Sequence, residues 1–340
     1  MLDRLPPRLI PIVIYLLFRY DSGLLVREVQ RQLKVQIDPD IDTFLADHCV
    51  DGVPLLPTVM QLDLAARGLQ AWAGSRVGTG PPAGVLLRRI RLGPPVRFDQ
   101  PGGRDLDLRC TPVPGHTKPG HATLRCELRS PGQDAPHLTV IAEGTARPAP
   151  RALGPAEWAG TPCGPELVYP PLFHGPAFQV VDGFGRAGAG LAASLALALP
   201  PLSWAAAPTV LRPQLLELLL QCCGIYELAS TGRMMVPAGI EAVHWHSESL
   251  TADEPSRAVA VVRPRPGPGP GPLDPGRVFD GQVVAPGGTV LVTVTGYQTT
   301  DLGRPPDLSH AGRLARCLDS HCAPARGWLD EPAIPEGAPR

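Results

Sequence analysis

Apolar residues in this chain fall into two kinds of run. Between Gly84 and Pro148, the stretches "GVLLRRIRL", "DLDLRCTPV", "HATLRCELR" and "LTVIAEGTA" largely alternate apolar and polar residues, with glycine and proline clusters between them. A period of two marks a half-buried strand. The pattern returns in "AFQVVDGFGRAG", "GLAASLALAL", "MMVPAGIEAVHWH", "RAVAVVRPR", "GRVFDGQVVA" and "GTVLVTVTGYQTT". Two other stretches are apolar at helical spacing. One, "TVMQLDLAARGLQAWAG", precedes the first set of strands; the other is "PQLLELLLQCCGIYELAST", residues 213–231. Pro213 suits the first turn of the second helix and Gly232 its end. Leu215, Leu216, Leu218, Leu219, Leu220, Cys222, Cys223, Ile225 and Leu228 wrap its whole cylinder. A helix apolar on nearly every side must be enclosed.

These elements arrange themselves twice over. The chain reads as a leader over 1–30, a first unit over 31–148, a linker over 149–165, a second unit over 166–301 and a flexible tail over 302–340. Each unit has one buried helix and an antiparallel meander; the first opens with a short strand and a His–Gly turn. A curved sheet rolled round one such helix is a hotdog fold, so the expected class is α+β, a double hotdog. The stretch "RPRPGPGPGPLDPG" (263–276) suits only a surface loop.

Composition adds limits. The 340 residues are 44% hydrophobic and carry a net charge of −1, so nothing calls for nucleic acid. The 43 prolines and 37 glycines favour strands and turns over long helices. In the leader, "LIPIVIYLLF" has ten apolar residues, about half of what spans a bilayer, so no membrane span is expected. The cysteines show no CxxC spacing, which predicts a reduced, cytoplasmic chain without a disulfide framework. His310, Cys317, His321 and Cys322 match no zinc knuckle, and His244 and His246 in "HWH" lack a third ligand, so no metal is expected.

Candidate chemistry sits where polarity interrupts these patterns. On the second helix Glu217 and Gln221 lie four residues apart, hence on one face, among apolar neighbours. A buried carboxyl is expected to have a raised pKa, to stay protonated at neutral pH and to act as a general acid. Gln221 could hold the hydroxyl that receives the proton. In "FLADHCVDGVPLLP" (44–57), His48 offers a neutral imidazole as the base. Gly52 allows a tight turn and close backbone approach, and Pro57 fits the first turn of the following helix, whose free N–H groups can polarise a carbonyl.

Several motifs carry a family resemblance. "HCVDGVPLLP" matches HxxxGxxxxP, "LFHGPAFQ" (172–179) resembles the Y/H-G-P-x-F stretch, and "RPQLLELLLQ" (212–221) resembles HP-x-x-x-D-x-x-x-Q. With "MVPAGIEAV" (235–243) they resemble, in order, the signatures of dehydratase domains from polyketide and fatty-acid synthases. The helix "ELLLQCCG" is also similar to the polyunsaturated-fatty-acid and enediyne branches. Two positions depart from the pattern: Glu217 replaces an aspartate and Arg212 a histidine.

The resemblance implies a dehydratase that converts a β-hydroxyacyl thioester into its α,β-unsaturated product. His48 would be the base, Glu217 the acid, Gln221 the hydroxyl holder and Gly52 the carbonyl-polarising turn. Tyr169, His174 and Gly175 would line the acyl site, a structural role for His174 being the weightier reading. No organic cofactor or metal is implied; the substrate rides on the phosphopantetheine of an acyl carrier protein. Partners would be that carrier and other synthase subunits, with a homodimer left open. Two alternatives remain: a double-bond isomerase or cyclase on the same fold, and a catalytically silent carrier-binding module.

Overall fold

A computed structural model describes residues 31–74, 84–115, 122–145, 149–150, 152, 163–205, 207–246, 258–266, 277–302 and 308–320. The leader over 1–30, most of the linker and loop 263–276, and the chain beyond 320 lie outside them.

In the first unit, strand β1 (Arg31–Ile37) is followed by a short hairpin of β2 (Cys49–Val50) and β3 (Val53–Pro54). Helix α1 (Thr58–Gly74) comes next, then β4 (Gly84–Leu92), β5 (Arg104–Pro112), β6 (Thr123–Arg129) and β7 (Leu138–Thr145). The second unit opens with β8 (Val181–Ala187) and β9 (Gly190–Leu195), then a small hairpin of β10 (Ser203–Trp204) and β11 (Ala207–Pro208). Helix α2 (Pro213–Thr231) leads into β12 (Met235–Trp245), β13 (Val259–Pro264), β14 (Val278–Val284) and β15 (Val290–Asp301).

Eleven strands form one antiparallel sheet in the order β1-β5-β6-β7-β4-β12-β15-β14-β13-β9-β8. Its two halves join at β4 and β12, the strands that directly follow the two helices, with Ile90 opposite Ile240 and Leu87 opposite Val243. Each helix is wrapped by its own half-sheet, which is the double hotdog.

The alternating runs became strands because one face of each packs on a helix. In β7, Leu138, Val140 and Ala142 are buried and alternate with half-buried neighbours. Helix α2 has the bounds its pattern predicts, with Pro213 at its first turn and Gly232 closing it at φ +69°. All nine apolar residues named for it are buried. At close packing, trimming one such leucine to alanine costs about 2–5 kcal/mol.

The short strand read ahead of the His–Gly turn is β1, which pairs with β5 along its whole length and closes the sheet edge. Two features differ from the sequence reading. Residues 308–320, inside the segment read as a flexible tail, form helix α3 (Leu308–Ser320). Ala311, Leu314 and Leu318 share one buried stripe, and that face packs on α2. The expectation of no disulfide is also corrected, because Cys163 and Cys317 are bonded and tie α3 to the start of the second unit. Cysteines 154 residues apart carry no spacing signal, so only the packing of α3 brings them together.

Candidate active site

Two chain segments meet at the join of the units. The first is the turn of 3-10 helix Thr43–Asp47 that runs into His48 and the β2–β3 hairpin. Asp51 and Gly52 form its tip, with φ of +54° and +74° and Val50 opposite Val53. Positive φ at both central residues is the two-residue turn that matches strand twist, and Asp-Gly favours it. Gly52 is exposed, with open space where a side chain would stand. The hairpin alone therefore explains this glycine. Pro57 is buried just before α1, its carbonyl taking the first helical hydrogen bonds from Met60 and Gln61 at 3.1 and 3.0 Å.

The hairpin fixes His48. Its backbone carbonyl accepts from Leu55 N–H at 2.9 Å, and its Nδ1 lies 3.0 Å from the Leu55 carbonyl oxygen. A carbonyl can only accept, so Nδ1 carries the proton and Nε2 keeps its lone pair. Burial, reinforced by the neighbouring His174, pulls His48 down to about 4, so the ring is neutral at physiological pH.

The second segment is the turn over 173–178, which leads into β8. Gly175 N–H donates to the Asp47 carbonyl at 2.8 Å, and Ala177 N–H donates to Asp47 Oδ2 at 3.0 Å. A side chain at Gly175 would stand 2.3 Å from Asp47 Oδ1 and 2.8 Å from its Cα, so only glycine permits this approach. The contact pairs His48 with His174 across the join. Phe173, His174 and Phe178 then surround the His48 ring at centroid distances of 5.1, 5.6 and 5.4 Å.

From α2 the carboxyl of Glu217 enters the same place, buried at 6% exposure. His174 Nε2 lies 3.2 Å from Glu217 Oε1, and Gln221 Nε2 donates to the same oxygen at 2.9 Å. Gln221 Nε2 also donates to the Phe178 carbonyl at 2.7 Å, and its Oε1 accepts from Tyr169 OH at 3.1 Å. The Tyr169 oxygen in turn accepts from Val181 N–H at 2.7 Å. Burial pushes the Tyr169 phenol well up, so it remains a donor.

This arrangement revises two roles read from the sequence. Both Gln221 N–H bonds are taken by the protein, so Gln221 holds the carboxyl of Glu217 instead of a substrate hydroxyl. Glu217 was expected to have a raised pKa. Burial does push it up, but the donors on His174 and Gln221 outweigh burial and hold it below its usual value.

Of the residues singled out, His48, Tyr169, His174, Gly175, Glu217 and Gln221 converge, whereas Gly52 and Pro57 shape the hairpin and the start of α1. Sequence reasoning missed Asp47, Phe173 and Phe178 as parts of the site, since each acts through a contact between distant segments. It also missed Asp63, a fully buried carboxylate on α1. Asp63 accepts from Trp204 Nε1, Val210 N–H and Leu211 N–H, each at 2.7 Å, and from Arg67 Nε at 3.1 Å. A charge inside the apolar "QLDLAA" was the available signal.

Comparison with known proteins places this fold. The chain is similar in fold to the dehydratase domain of PpsC from Mycobacterium tuberculosis in complex with C12:1-CoA, at 20% identity and TM-score 0.59 over 81% of this chain and 94% of that one. A trans-AT polyketide synthase dehydratase domain from Brevibacillus brevis shows 19% identity and TM-score 0.61, over 86% and 99%. An isomerase-inactive variant of GphF DH1 shows 18% and 0.59, over 81% and 93%. No curated protein matches the chain. Fold and site thus define a double-hotdog protein with an imidazole and a carboxyl facing each other across the join of its units. Residues 145–309 match the family model described as the polyketide synthase dehydratase N-terminal domain. That segment carries Glu217 and the HGPxF turn.

Proposed function

We propose that this chain is a dehydratase acting on a β-hydroxyacyl thioester held by the phosphopantetheine of an acyl carrier protein. The observation that carries this reading is the meeting of a neutral imidazole from one hotdog with a buried carboxyl from the other. His48 Nε2 takes the proton beside the thioester carbonyl. Glu217, in its protonated form, gives a proton to the β-hydroxyl, which leaves as water. Free N–H groups at the start of α1 suit the polarised carbonyl oxygen. The residues present need no metal or organic cofactor for this step. Gln221, itself held by Tyr169, fixes the carboxyl, and Phe173 and Phe178 keep water from the base. We assign the chain to the cytoplasm, beside the carrier and the other synthase subunits, with self-association to a homodimer as part of the same proposal. Among the described residues no helix is long and apolar enough to cross a membrane.

A second reading rests on the likeness to GphF DH1, whose variant is described as isomerase-inactive. The same base and acid could move a double bond. Incubation with 3-hydroxyacyl carrier protein and mass analysis of the acyl group separates the cases. Dehydration removes 18 daltons, about one water. Turnover of a 2-enoyl substrate without mass change, and none of the hydroxyacyl one, would establish isomerisation. Inertness towards both would leave a silent carrier-binding module.

A further inference from the structure

Resting on that reading, a third ring deserves a role in the acid step. His174 is not simply part of the wall. Its side chain is 8% exposed, its Nε2 faces Glu217 Oε1 at 3.2 Å, and its Nδ1 is buried without a hydrogen-bond partner. A buried N–H without a partner is rarer than an under-used acceptor. The tautomer that leaves a lone pair on Nδ1 and a hydrogen on Nε2 is therefore favoured. Two N–H donors, from His174 and Gln221, then converge on Oε1. Among the described residues neither Oε1 bond has a counterpart on Oε2.

We propose that His174 is a positioning residue for the general acid: with Gln221 it makes Oε1 the accepting oxygen of Glu217 and leaves Oε2 as the oxygen that delivers the proton. In the step itself, the Oε2–H bond breaks and a bond forms between that hydrogen and the β-hydroxyl oxygen. The C–O electron pair leaves with water, while the Cα proton moves to His48 Nε2 and its electrons form the double bond. Glu217 is left as a carboxylate whose charge is met by the two donors already in place. Groups that face this carboxyl are His48 from the first unit, Tyr169 and His174 beside β8, Gln221 on α2 and Tyr297 on β15. The ring stacks on Phe173 at 4.5 Å, so a purely structural role would be met by any flat apolar ring.

The test compares three variants whose folding is checked by circular dichroism. His174→Phe keeps the ring without its donor, His174→Gln offers an amide N–H near Nε2, and Glu217→Gln removes the acid. His174→Phe should lose about ten- to a hundredfold in kcat, with KM changed far less, and its basic limb should move to higher pH because a donor that favours the carboxylate is gone. His174→Gln should recover most of the rate. Near-parental kcat in His174→Phe, or an unshifted basic limb, would overturn the proposal. A second readout does not depend on turnover. Nitrogen-15 spectra should show the His174 ring protonated at Nε2, with a low-field N–H signal that Glu217→Gln displaces. A ring protonated at Nδ1, or a signal blind to Glu217→Gln, would also overturn it. A parent chain inert towards every acyl carrier substrate, yet showing that signal, would refute the dehydratase reading and leave the positioning contact standing.

Discussion

At the residue scale the proposed reaction rests on two groups, His48 and Glu217, whose acidities have both been moved downwards. His48→Ala should fold and yet turn over at least about a hundredfold more slowly, the common share of a general base. Its pH behaviour follows from the direction of the shifts. His48 stays neutral until about pH 4, so no loss of rate is expected on the acidic side between about pH 5 and 7. Glu217, held below its usual value, is mostly ionised at neutral pH, so kcat/KM should fall as pH rises over that range. A rate profile of the parent enzyme checks both limbs. Glu217→Gln should abolish elimination while the acyl chain still binds, as seen by calorimetry with an unreactive acyl carrier. Glu217→Asp restores the residue seen elsewhere in the motif but draws the carboxyl back from His174 Nε2, and should be slower than the parent. Stability carries the same signature. An unfolded His48 gains its proton near pH 6.5 and the folded one near pH 4, so stability falls as pH drops through that window. Denaturant titrations at several pH values should show this slope, and His48→Ala should flatten it.

Elements are held in register by buried polar groups that belong to neither catalysis nor the apolar core. Asp63 stands at the centre of the clearest case. From α1 it grips the indole of Trp204 in β10 and the two N–H groups that lead into α2, so one carboxylate sets where the second helix begins. Asp63→Ala would leave three donors without a partner in a dry interior. At about 1–3 kcal/mol for each orphaned group, the loss should be at least about 3 kcal/mol, measured by urea unfolding. Because the helix start would also shift, the activity lost should exceed that of an equally destabilising change on β6. On α2 itself, Glu227 plays a comparable part, accepting from Arg277 N–H at 2.9 Å and from Thr299 Oγ1 at 3.2 Å. The helix thus carries one carboxyl at the candidate site and one for anchorage, and their sequence settings look much alike.

Among the described residues, one continuous eleven-stranded sheet surrounds α1 and α2, and Cys163–Cys317 ties α3 to the second unit. That bond encloses most of the second unit. Replacing Cys163 by serine should cost about 2–4 kcal/mol, the usual range for removing a disulfide. Reduction of the parent chain should give the same loss, while a protein already reduced in its compartment would show no change. Helix α3 should be the first part to exchange its amide hydrogens once the bond is gone, since its Ala311–Leu314–Leu318 stripe and an exposed ion pair between Arg186 and Asp319 then hold it.

Sequence by itself determined the elements and much of the site. Period-two runs specified the strands, because a sheet with one buried face admits no other pattern. The all-round apolar run specified α2 and its bounds. The oddity of a carboxyl in that run, with glutamine one turn on, marked Glu217 and Gln221 before any coordinates. His48 was legible through its motif, not through its own chemistry. Tertiary structure decided what each polar group faces. That His174 donates to Glu217, that Gln221 spends its donors on the protein, and that the carboxyl is held low instead of high all depend on segments some 40 to 170 residues apart meeting at one join. The same holds for Cys163 with Cys317 and for Gly175 against Asp47. Periodicity reports which face of an element is buried, because burial repeats along the chain. It carries no record of which partner waits on the other side, and a hydrogen bond or a pKa shift is set by that partner alone.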